Sequence, residues 1–336
     1  MRQTDFSLLD SPPRSLLVIK FSALGDIVQA LQVVQTVARQ WPDCRITWIV
    51  HERFAAMVQA APFVDQVLTF PKKKRLQASF RLWKKLQKLP FDMVWDLQGL
   101  FRPALCALFA RAPHKWGFRR KKGLGGAPYT HRLPHHAGTE IHHAITYLQQ
   151  FPRHAGLKSD PAIPLELKPT AFFNEEEINV FLSEGEKNKL FIIFTDSSRE
   201  EKAWKGYDEI SQLIWNHIPE SRIVWCGLKS TPSPKSPPPG RFLNLQGKCT
   251  LEQMITVVRQ PSVFIGNDSG PMHLAAAVGN PVLALFGPTS PERFGPWPVG
   301  SPNSQIVVAP HGRLPELKSE TVFSALQELL ARIEKR

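Results

Sequence analysis

Residues 263–289 read Val263-Phe-Ile-Gly-Asn-Asp-Ser-Gly-Pro-Met-His-Leu-Ala-Ala-Ala-Val-Gly-Asn-Pro-Val-Leu-Ala-Leu-Phe-Gly-Pro-Thr289. The pattern predicts a strand, a tight loop, a short helix, a turn and a second strand. Either Asp268 or Ser269 can cap the helix, and Pro271 suits its first turn, where a backbone N–H is not needed. Gly279 and Pro281 end the helix. Such a strand–helix–strand unit predicts a parallel sheet with helices packed against it.

The same alternation of apolar strands and amphipathic helices extends over the rest of the chain. A short apolar run at 16–20 is followed by a helical pattern from Ile27 to about Gln40, and another helix is predicted near 207–217. Further strands are predicted at 45–50, 91–96, 189–194, 222–226 and 281–286. The sequence therefore predicts an α/β protein with doubly wound parallel sheets.

A chain of 336 residues is too long for one ordinary hydrophobic core and suits two domains. The alternating pattern is interrupted by a polar region from Lys168 to Asn188 and restarts at Lys189. We therefore predict domains at 14–168 and 186–336, and we allow for the last helix to pack back on the first domain. The Pro/Ser-rich segment Lys229–Gly240 is predicted to be an exposed loop without a helix.

Positive charge is concentrated in the first half of the chain. Residues 1–168 contain 25 Lys and Arg against 11 Asp and Glu, whereas the remainder contains 17 against 18. A basic surface of this kind indicates an anionic partner for the first domain, such as nucleic acid, acidic lipid or a phosphorylated saccharide.

Two clusters account for much of this charge. Residues 71–89 carry eight basic residues and no acidic one, and Leu76, Phe80 and Trp83 fall on one helical face. A second cluster lies at 119–122. The first pattern is equally consistent with an amphipathic helix on anionic lipid and with a solvated helix packed on its own core.

The composition argues against secreted and membrane-spanning proteins. Asp5 and Asp10 precede the first apolar run, which is not typical of a secretory signal, and no apolar run is long enough to span a bilayer. The four cysteines form no C-x-x-C pair, so zinc and thioredoxin-type sites have no support. Buried free thiols in a reducing cytoplasm are expected.

Three loops that follow predicted strands contain residues suited to chemistry, because ligands bind beyond the carboxyl ends of parallel strands. In the first loop, Ser22 and Gly25 precede Asp26, and the single glycine does not make a dinucleotide-binding fingerprint. From this loop alone, helix capping is the simpler role for Asp26. The second loop holds hydroxyl groups and an ammonium group that suit phosphate oxygens, although a solvated surface loop has the same composition. These groups belong to Thr195, Ser197, Ser198 and Lys202.

The third loop, at 266–273, is the most specific of the three. The N–H groups at the start of its helix form an anion site suited to a diphosphate, and Gly270 permits a ligand to approach the backbone closely. Three alanines at 275–277 let the helix pack close to the sheet. His273 lies on the first turn beside Asp268 in sequence, and a buried, hydrogen-bonded histidine is the ordinary alternative to a binding role.

Taken together, these loops make the chain similar to glycosyltransferase family 9, the ADP-heptose:lipopolysaccharide heptosyltransferases. The resemblance covers nearly the whole chain, and its motifs are specific in combination. They are the start Lys20-x-Ser-x-Leu-Gly-Asp26, the segment Asp96-Leu-Gln-Gly99, and the loop Asp268-Ser-Gly-Pro-Met-His273 with its tail Leu285-Phe-Gly-Pro-Thr289. The resemblance implies a GT-B fold, in which two Rossmann-like domains face each other across a cleft.

The resemblance also implies an activity. The first domain would bind the acceptor and the second the sugar nucleotide. The reaction would be inverting transfer of L-glycero-D-manno-heptose from ADP-heptose to an inner-core acceptor, either Kdo on lipid A or an earlier heptose. The enzyme would be cytoplasmic and peripheral to the inner membrane, held at its inner face by the basic surface. Its partners would be the nucleotide-sugar donor and the anionic lipid acceptor, with no nucleic acid, no metal and no separate cofactor.

By the same resemblance, Asp26 is the catalytic base. The residues assigned to the donor are Thr195, Ser197, Ser198, Lys202, Asp268, Ser269, Gly270 and His273. The residues assigned to the acceptor are Lys20, Ser22, Gln98, Arg119 and Arg120. Inversion by single displacement needs a base on the face opposite the leaving diphosphate, and hydrogen-bond donors at that diphosphate stabilise the transition state more than the ground state.

The chain departs from the family at one position. Relatives carry a glutamate assigned to the ribose after the glycine near 222–227, whereas this chain reads Cys226-Gly-Leu-Lys-Ser230. Lys229 cannot accept a hydrogen bond from a ribose hydroxyl, and Glu252 is a candidate substitute. Two alternatives therefore stay open: a GT-B enzyme that uses another nucleotide sugar, and a non-catalytic basic protein that binds membrane or nucleic acid.

Overall fold

The computed structural model describes residues 11–71, 76–119, 128–134, 143–160, 162–169, 171–183, 189–196, 204–229 and 231–335. The chain divides into two units, Met1–Lys168 (unit 1) and Pro169–Arg336 (unit 2). Each unit is built around one parallel six-stranded sheet, as alternating strand and helix patterns predict.

Unit 1 has the strand order β3-β2-β1-β4-β5-β6, with every neighbouring pair parallel. The strands are β1 (Ser15–Ile19), β2 (Arg45–His51), β3 (Gln66–Phe70), β4 (Met93–Asp96), β5 (His114–Phe118) and β6 (His131–Leu133). The described helices are α1 (Leu24–Gln40), α2 (Ala55–Gln59), α3 (Leu76–Lys88), α4 (Phe101–Phe109), α5 (Ala144–Leu148) and α6 (Gln150–His154).

Helices cover both faces of this sheet. On one face, Leu82 and Leu86 of α3 and Ala104 of α4 share a core with Leu17 and Ile19 of β1. Trp83 of α3 stacks on Phe109 of α4 with ring centroids 4.9 Å apart, so Trp83 packs inward, whereas Phe80 is exposed. Of the two alternatives left open for residues 71–89, packing on the core therefore holds for Trp83, whereas Phe80 stays exposed.

Unit 2 has the order β12-β11-β10-β7-β8-β9, also entirely parallel. The strands are β7 (Leu190–Phe194), β8 (Arg222–Cys226), β9 (Phe242–Asn244), β10 (Val263–Asn267), β11 (Val282–Phe286) and β12 (Ser304–Val308). The described helices are α7 (Glu176–Ser183), α8 (Tyr207–His217), α9 (Leu251–Val258), α10 (Gly270–Ala277), α11 (Pro291–Phe294) and α12 (Ser319–Glu334).

The last helix, α12, packs against α8, β11 and β12 of its own unit. Val322, Leu326 and Leu329 are fully buried in the core that includes Phe191 and Ile193 of β7. The chain before the helix is held by Trp204, whose Nε1–H donates to the Leu317 carbonyl oxygen at 2.8 Å.

The strands and helices predicted from sequence are confirmed, with end points that shift by at most three residues. The segment Lys229–Gly240 contains no helix in its described part, also as predicted. The polar region at 168–188 differs from a simple linker, because it contains α7. This helix carries Glu176 and Glu177 in its first turn, where their charges favour the positive end of the helix dipole.

Three of the four cysteines are buried free thiols, as expected, and burial raises the pKa of Cys44 to about 12. Cys249 is only half-buried, so the prediction is wrong there. Its thiol shares a hydrogen bond with Cys226, which raises the pKa of Cys226 and lowers the pKa of Cys249.

Across the described ranges, no helix has both the length and the hydropathy that crossing a bilayer requires.

A buried serine in unit 2 provides a test of the packing. The Ser211 hydroxyl donates to the Tyr207 carbonyl oxygen at 2.7 Å and accepts from Trp225 Nε1–H at 3.1 Å. Ser211→Ala leaves the indole N–H unpaired, and we expect the free energy of unfolding to fall by about 1–3 kcal/mol. Urea unfolding measures this. Ser183→Ala, at an exposed helix end, is the control and should change stability by less than about 0.5 kcal/mol; equal effects of the two substitutions would contradict the prediction.

Candidate active site

Each sheet has one topological switch point. The chain first adds strands on one side of the first strand of the sheet and later adds strands on its other side, and the switch point lies between the two sets. In unit 1 this point lies between β1 and β4, and in unit 2 it lies between β7 and β10. Ligands of doubly wound sheets bind beyond the carboxyl ends of the strands at such points. The loops predicted from sequence to carry chemistry follow β1, β7 and β10, so the topology brings them to these two edges.

Asp26 occupies the third position of α1, directly after the β1 loop. Its Oδ2 atom accepts the Ala23 N–H at 3.1 Å, so the carboxylate caps the helix start. The side chain nevertheless remains 45% exposed, and among the described residues no group donates to its Oδ1 atom. Asp26 therefore caps its helix and also presents a carboxylate oxygen to an incoming group.

Lys20 lies at the base of the same loop and is buried, with 7% of its surface exposed. Its Nζ atom lies 3.6 Å from Asp26 Oδ2 and 3.5 Å from the Leu97 carbonyl oxygen, to which it donates. A buried ammonium requires such partners, because desolvation disfavours the charged form. The position predicted to bind acceptor thus neighbours the carboxylate of Asp26, and its ion pair holds the orientation of that side chain.

Gln98 connects the β4 loop to the β1 loop. Its Oε1 atom accepts the N–H groups of Phe21 at 3.1 Å and Ser22 at 3.3 Å. The amide side chain therefore holds the backbone that leads into Asp26. Ser22 is half-buried in this loop. The predicted acceptor residues Lys20, Ser22 and Gln98 are brought together at one sheet edge.

Asp96 was not among the predicted site residues, although it begins the Asp96-Leu-Gln-Gly99 segment. It is fully buried, and its Oδ1 atom accepts the N–H groups of Gln98 and Gly99 at 2.9 and 2.8 Å. Its Oδ2 atom accepts the Tyr129 hydroxyl at 2.6 Å. Burial raises the pKa of Asp96, against the opposing effect of these hydrogen bonds and of the Lys20 charge. Asp96 thus fixes the loop that presents Gln98.

The raised pKa of Asp96 gives a pH dependence with a definite sign. The folded protein retains a proton on this carboxyl at pH values where the unfolded chain has released it, so stability falls as the pH rises through this window. The free energy of unfolding of the native protein, relative to Asp96→Asn, should fall from about pH 4, the pKa of an unfolded aspartate, up to the raised folded value. Urea titrations of both proteins over a pH series measure the difference; a difference that increases with pH contradicts this account.

Arg119 follows β5 at the same edge of the sheet as the β1 and β4 loops. Its side chain is exposed, and its N–H donates to the Leu133 carbonyl oxygen at 2.7 Å. Arg120 lies outside the described residues. The role of both arginines toward an acceptor stays a prediction.

The start of α10 forms the second group of site residues. Ser269 is its N-cap with extended backbone (φ −157°), Pro271 occupies the first turn, and the His273 N–H donates to the Ser269 carbonyl oxygen at 3.2 Å. Of the two candidate caps, the structure selects Ser269. The N–H groups of Gly270 and Met272 lie before the first intrahelical hydrogen bond, so they are the groups that an anion at this helix start would use.

The Ser269 side chain does not cap the helix in the usual way. Its Oγ atom is buried, and within the described ranges it has no hydrogen-bond partner; the same is true of Thr289 Oγ1, in the loop after β11. A buried hydroxyl without a partner costs free energy, which a ligand oxygen would recover. Thr289 belongs to the tail of the motif but was not predicted as a site residue.

His273 and Asp268 face each other at this helix start. The distance from His273 Nε2 to Asp268 Oδ1 is 3.8 Å, and both side chains are largely buried. The loop thus combines an acid, an imidazole and the helix N-terminus within one turn, as the sequence predicts. The roles of Asp268, Ser269, Gly270 and His273 toward a donor stay predictions.

The β7 and β8 loops are joined by the side chain of Thr195, which was predicted as a donor residue, and by those of Asp196 and Gln246, which were not. Thr195 is buried, its hydroxyl donates to the Cys226 carbonyl oxygen at 3.2 Å, and it accepts the Gln246 side-chain amide. Asp196 accepts the N–H groups of Leu228 and Lys229. The buried Thr195 therefore helps to hold the β7 and β8 loops together, and Asp196 fixes the backbone at Lys229.

The remaining predicted donor residues, Ser197, Ser198 and Lys202, lie outside the described residues. Lys229 is described and exposed, at the carboxyl end of β8. Among the described residues, no group of three or more His, Cys, Asp or Glu side chains is placed to hold a metal ion. At these sheet edges the described residues supply the part-exposed carboxylate of Asp26 in unit 1, and backbone amides with buried hydroxyls in unit 2.

Comparison with known proteins agrees with this geometry. Over 303 residues the chain is 26% identical to the lipopolysaccharide core heptosyltransferase OpsX of Haemophilus influenzae, covering 86% of this chain and 84% of the relative. It is 29% identical to lipopolysaccharide heptosyltransferase 1 of Campylobacter coli, covering 83% and 85%. Its fold is similar to the Escherichia coli heptosyltransferase WaaC with ADP, at 21% identity and a TM-score of 0.73, covering 94% and 99%.

The two parallel sheets and this structural similarity establish the α/β, GT-B class of fold. The model of glycosyltransferase family 9 (heptosyltransferase) matches residues 79–327, which is well over half of the chain. The protein is thus a glycosyltransferase, and the alternative of a non-catalytic binding protein is not supported. On this match, the chain belongs to glycosyltransferase family 9, the heptosyltransferases.

Proposed function

We propose that this glycosyltransferase moves L-glycero-D-manno-heptose from ADP-heptose to the Kdo/heptose inner core of lipopolysaccharide, with inversion at C1. The supporting observation is the placement of the predicted residues at the two switch points, with Asp26 after β1 and the Ser269–His273 helix start after β10. Two relatives over most of the chain are lipopolysaccharide heptosyltransferases. The similar E. coli structure holds ADP.

The diphosphate of the donor would bind at the start of α10. The N–H groups of Gly270 and Met272 and the buried hydroxyl of Ser269 are donors there, and the dipole of α10 favours negative charge. As the bond from C1 to the diphosphate oxygen breaks, its electron pair remains on the diphosphate. Donors that meet this growing charge stabilise the transition state more than the ground state. Lys202, with Ser197 and Ser198, is predicted to add to the same effect.

Asp26 would act as the base for the acceptor hydroxyl. Its Oδ2 atom is engaged by the Ala23 N–H and by Lys20, which leaves Oδ1 to receive a proton. The acceptor oxygen loses its proton to Asp26 and forms a bond to C1, while the diphosphate departs on the opposite side. The products are the heptosylated acceptor with an inverted C1 and ADP. No step of this scheme requires a metal or a separate cofactor. That the enzyme uses neither stays a prediction.

A donor with a different nucleotide is the second candidate, and Lys229 favours it. This residue stands at the carboxyl end of β8, and the carboxylate of Asp196 holds its backbone N–H. An ammonium group can only donate hydrogen bonds. It therefore cannot accept the hydrogen bond that a ribose hydroxyl would donate at this position. Competition between ADP-heptose and UDP-, GDP- and ADP-linked sugars in the transfer assay distinguishes the two candidates.

The acceptor is anchored in a membrane, so we further propose that the enzyme works as a cytoplasmic protein at the inner face of the inner membrane. The excess of positive charge in unit 1 supports this, because it complements an anionic surface. No nucleic-acid partner is proposed.

The direct test is transfer by purified protein. Native protein and Asp26→Ala are incubated with ADP-heptose and a Kdo–lipid A acceptor, and the acceptor is examined by mass spectrometry. We expect the mass of one heptose to be added by the native protein and the addition to be lost in Asp26→Ala. If no Kdo- or heptose-terminated acceptor gains mass, and the protein instead binds duplex DNA tightly, the proposal is wrong.

A further inference from the structure

Helices α3 and α4 form one layer on the face of unit 1 that covers Leu17 and Ile19. The stacked rings of Trp83 and Phe109 join the two helices, and their inner residues are buried. The outer side of this layer is exposed and has an unusual composition. We refer to the exposed residues of α3 and α4, together with Leu100, as the α3–α4 face.

Large apolar side chains stand on this face. Phe80, Leu100, Phe101 and Leu108 are 53, 52, 54 and 49% exposed. Phe101, Leu105 and Leu108 have the spacing i, i+4, i+7, so they form one stripe along α4, beside the buried Ala104 and Ala107. Single exposed apolar residues need no explanation, but a helix that is apolar on both sides indicates a second apolar environment.

Basic side chains surround this apolar stripe. Residues 76–119 contain eight Lys and Arg and two Asp, with no Glu. Neither Asp offsets the charge of the face: Asp96 is fully buried, and the Asp92 carboxylate accepts the N–H groups of Arg14 and Ser15. The exposed basic residues of the two helices are Arg81, Lys84, Lys85, Lys88 and Arg102. The Nζ atom of Lys84 lies over the Phe80 ring, 4.8 Å from its centroid, so charge and apolar surface are interleaved.

We propose that the α3–α4 face binds the surface of an anionic phospholipid bilayer, with Phe80, Phe101 and Leu108 among the acyl chains and the lysines at the headgroups. Aromatic and aliphatic side chains at the boundary of the hydrocarbon, flanked by lysine and arginine, are the pattern of interfacial membrane binding. A nucleic acid would use the same cations, but it has no counterpart for the exposed Leu100 and Leu108.

This face also continues into the candidate site. Leu100 and Phe101 follow Gln98 and Gly99 directly, and Gln98 holds the backbone of the loop that carries Asp26. If the acceptor is a lipid-linked saccharide, which rests on the proposed function, the bilayer contact begins within three residues of the acceptor-site segment. The inference refines the membrane contact proposed above and names the residues that make it.

The test is cosedimentation of the full-length protein with vesicles of phosphatidylglycerol and phosphatidylcholine, without donor or acceptor. Phe80→Ser with Phe101→Ser should weaken binding by about tenfold. Lys84→Gln, Lys85→Gln and Lys88→Gln together should weaken it by about a hundredfold. Pure phosphatidylcholine should bind poorly, and added salt should weaken the binding to anionic vesicles.

Matched controls lie in unit 2. Phe172→Ser removes a phenylalanine that is more exposed, at 67%, than Phe80 or Phe101, and Lys248→Gln, Lys318→Gln and Lys335→Gln remove three exposed lysines. Neither control should change vesicle binding by more than about twofold. Circular dichroism confirms that each variant is folded.

Binding to anionic vesicles that is unaffected by the two Phe substitutions would overturn the proposal, because the contact would then be electrostatic only. Tighter binding to duplex DNA than to vesicles, with the same lysine dependence, would also overturn it. Because no substrate is present, a failure here leaves the transfer assay for the proposed function unaffected. Conversely, vesicle binding without heptose transfer would support the membrane contact of the α3–α4 face and count against the proposed function.

Discussion

Replacing Asp26 by Ala is expected to lower kcat for heptose transfer by about 10²- to 10⁴-fold, which is the usual contribution of a positioned base. The KM for the nucleotide sugar should change little, because the residues predicted to bind the donor lie in unit 2. Initial rates of ADP release, measured at saturating acceptor, give both parameters.

The control must separate proton transfer from helix capping, because Asp26 caps its helix and is also proposed to take the acceptor proton. In Asp26→Asn the amide oxygen can still accept the Ala23 N–H, so the cap is retained while the base is lost. We expect Asp26→Asn to be as inactive as Asp26→Ala but more stable. Glu320→Gln, a first-turn acid of α12, is the matched neutral control and should retain native activity. Near-native kcat in Asp26→Asn would show that the residue is only a cap.

Ser269→Ala should lower kcat/KM for the nucleotide sugar by about 10²-fold, because it removes one of the groups proposed to donate to the leaving diphosphate. The same substitution should leave the free energy of unfolding unchanged or raise it. The Ser269 hydroxyl is buried without a partner within the described residues, so its loss removes a penalty and breaks no hydrogen bond. Steady-state kinetics and urea unfolding of the same preparation provide the two readouts.

Ser211→Ala is the matched comparison, since it also removes a buried hydroxyl in unit 2. Ser211 is paired with Trp225 and the Tyr207 carbonyl, so this variant should lose stability and keep kcat/KM. Ser269→Ala should therefore lower kcat/KM and keep stability, whereas Ser211→Ala should lower stability and keep kcat/KM. Loss of stability without loss of activity in Ser269→Ala would show that Ser269 is a structural residue.

Much of the architecture can be read from the sequence, because the relevant signals are local. Apolar runs followed by glycine, hydroxyl or acidic residues mark strand ends, and parallel strands gather those ends at one edge. The positions of Asp26, Thr195 and Ser269 relative to their strands follow from this rule alone.

The contacts that support these loops are not visible in the sequence, because they join distant segments. Asp196 holds the N–H groups of residues more than 30 positions away, and Tyr129 reaches Asp96 across 33 positions. Such pairs of a side chain with a backbone group or another side chain leave no periodic pattern. The two alternatives for Trp83 could not be decided from sequence for a related reason. A helical wheel shows which residues share a face, whereas the tertiary contact with Phe109 decides which face is buried.

The α3–α4 face illustrates the same limit. The count of charged residues indicates an anionic partner for the first half of the chain. Only the structure shows that Phe101 and Leu108 are exposed while Ala104 and Ala107 are buried. The family match adds the reaction class, and the placement of Asp26, Lys20 and Gln98 adds the residues on which it can be tested.

The central claim is a single displacement at C1, with Asp26 taking the acceptor proton and the start of α10 holding the diphosphate. The configuration at C1 of the transferred heptose, determined by NMR of the product and compared with the donor, tests this most directly. The account predicts the opposite configuration in donor and product. The same configuration in both would contradict it, because retention requires either two displacements or attack from the side of the leaving group.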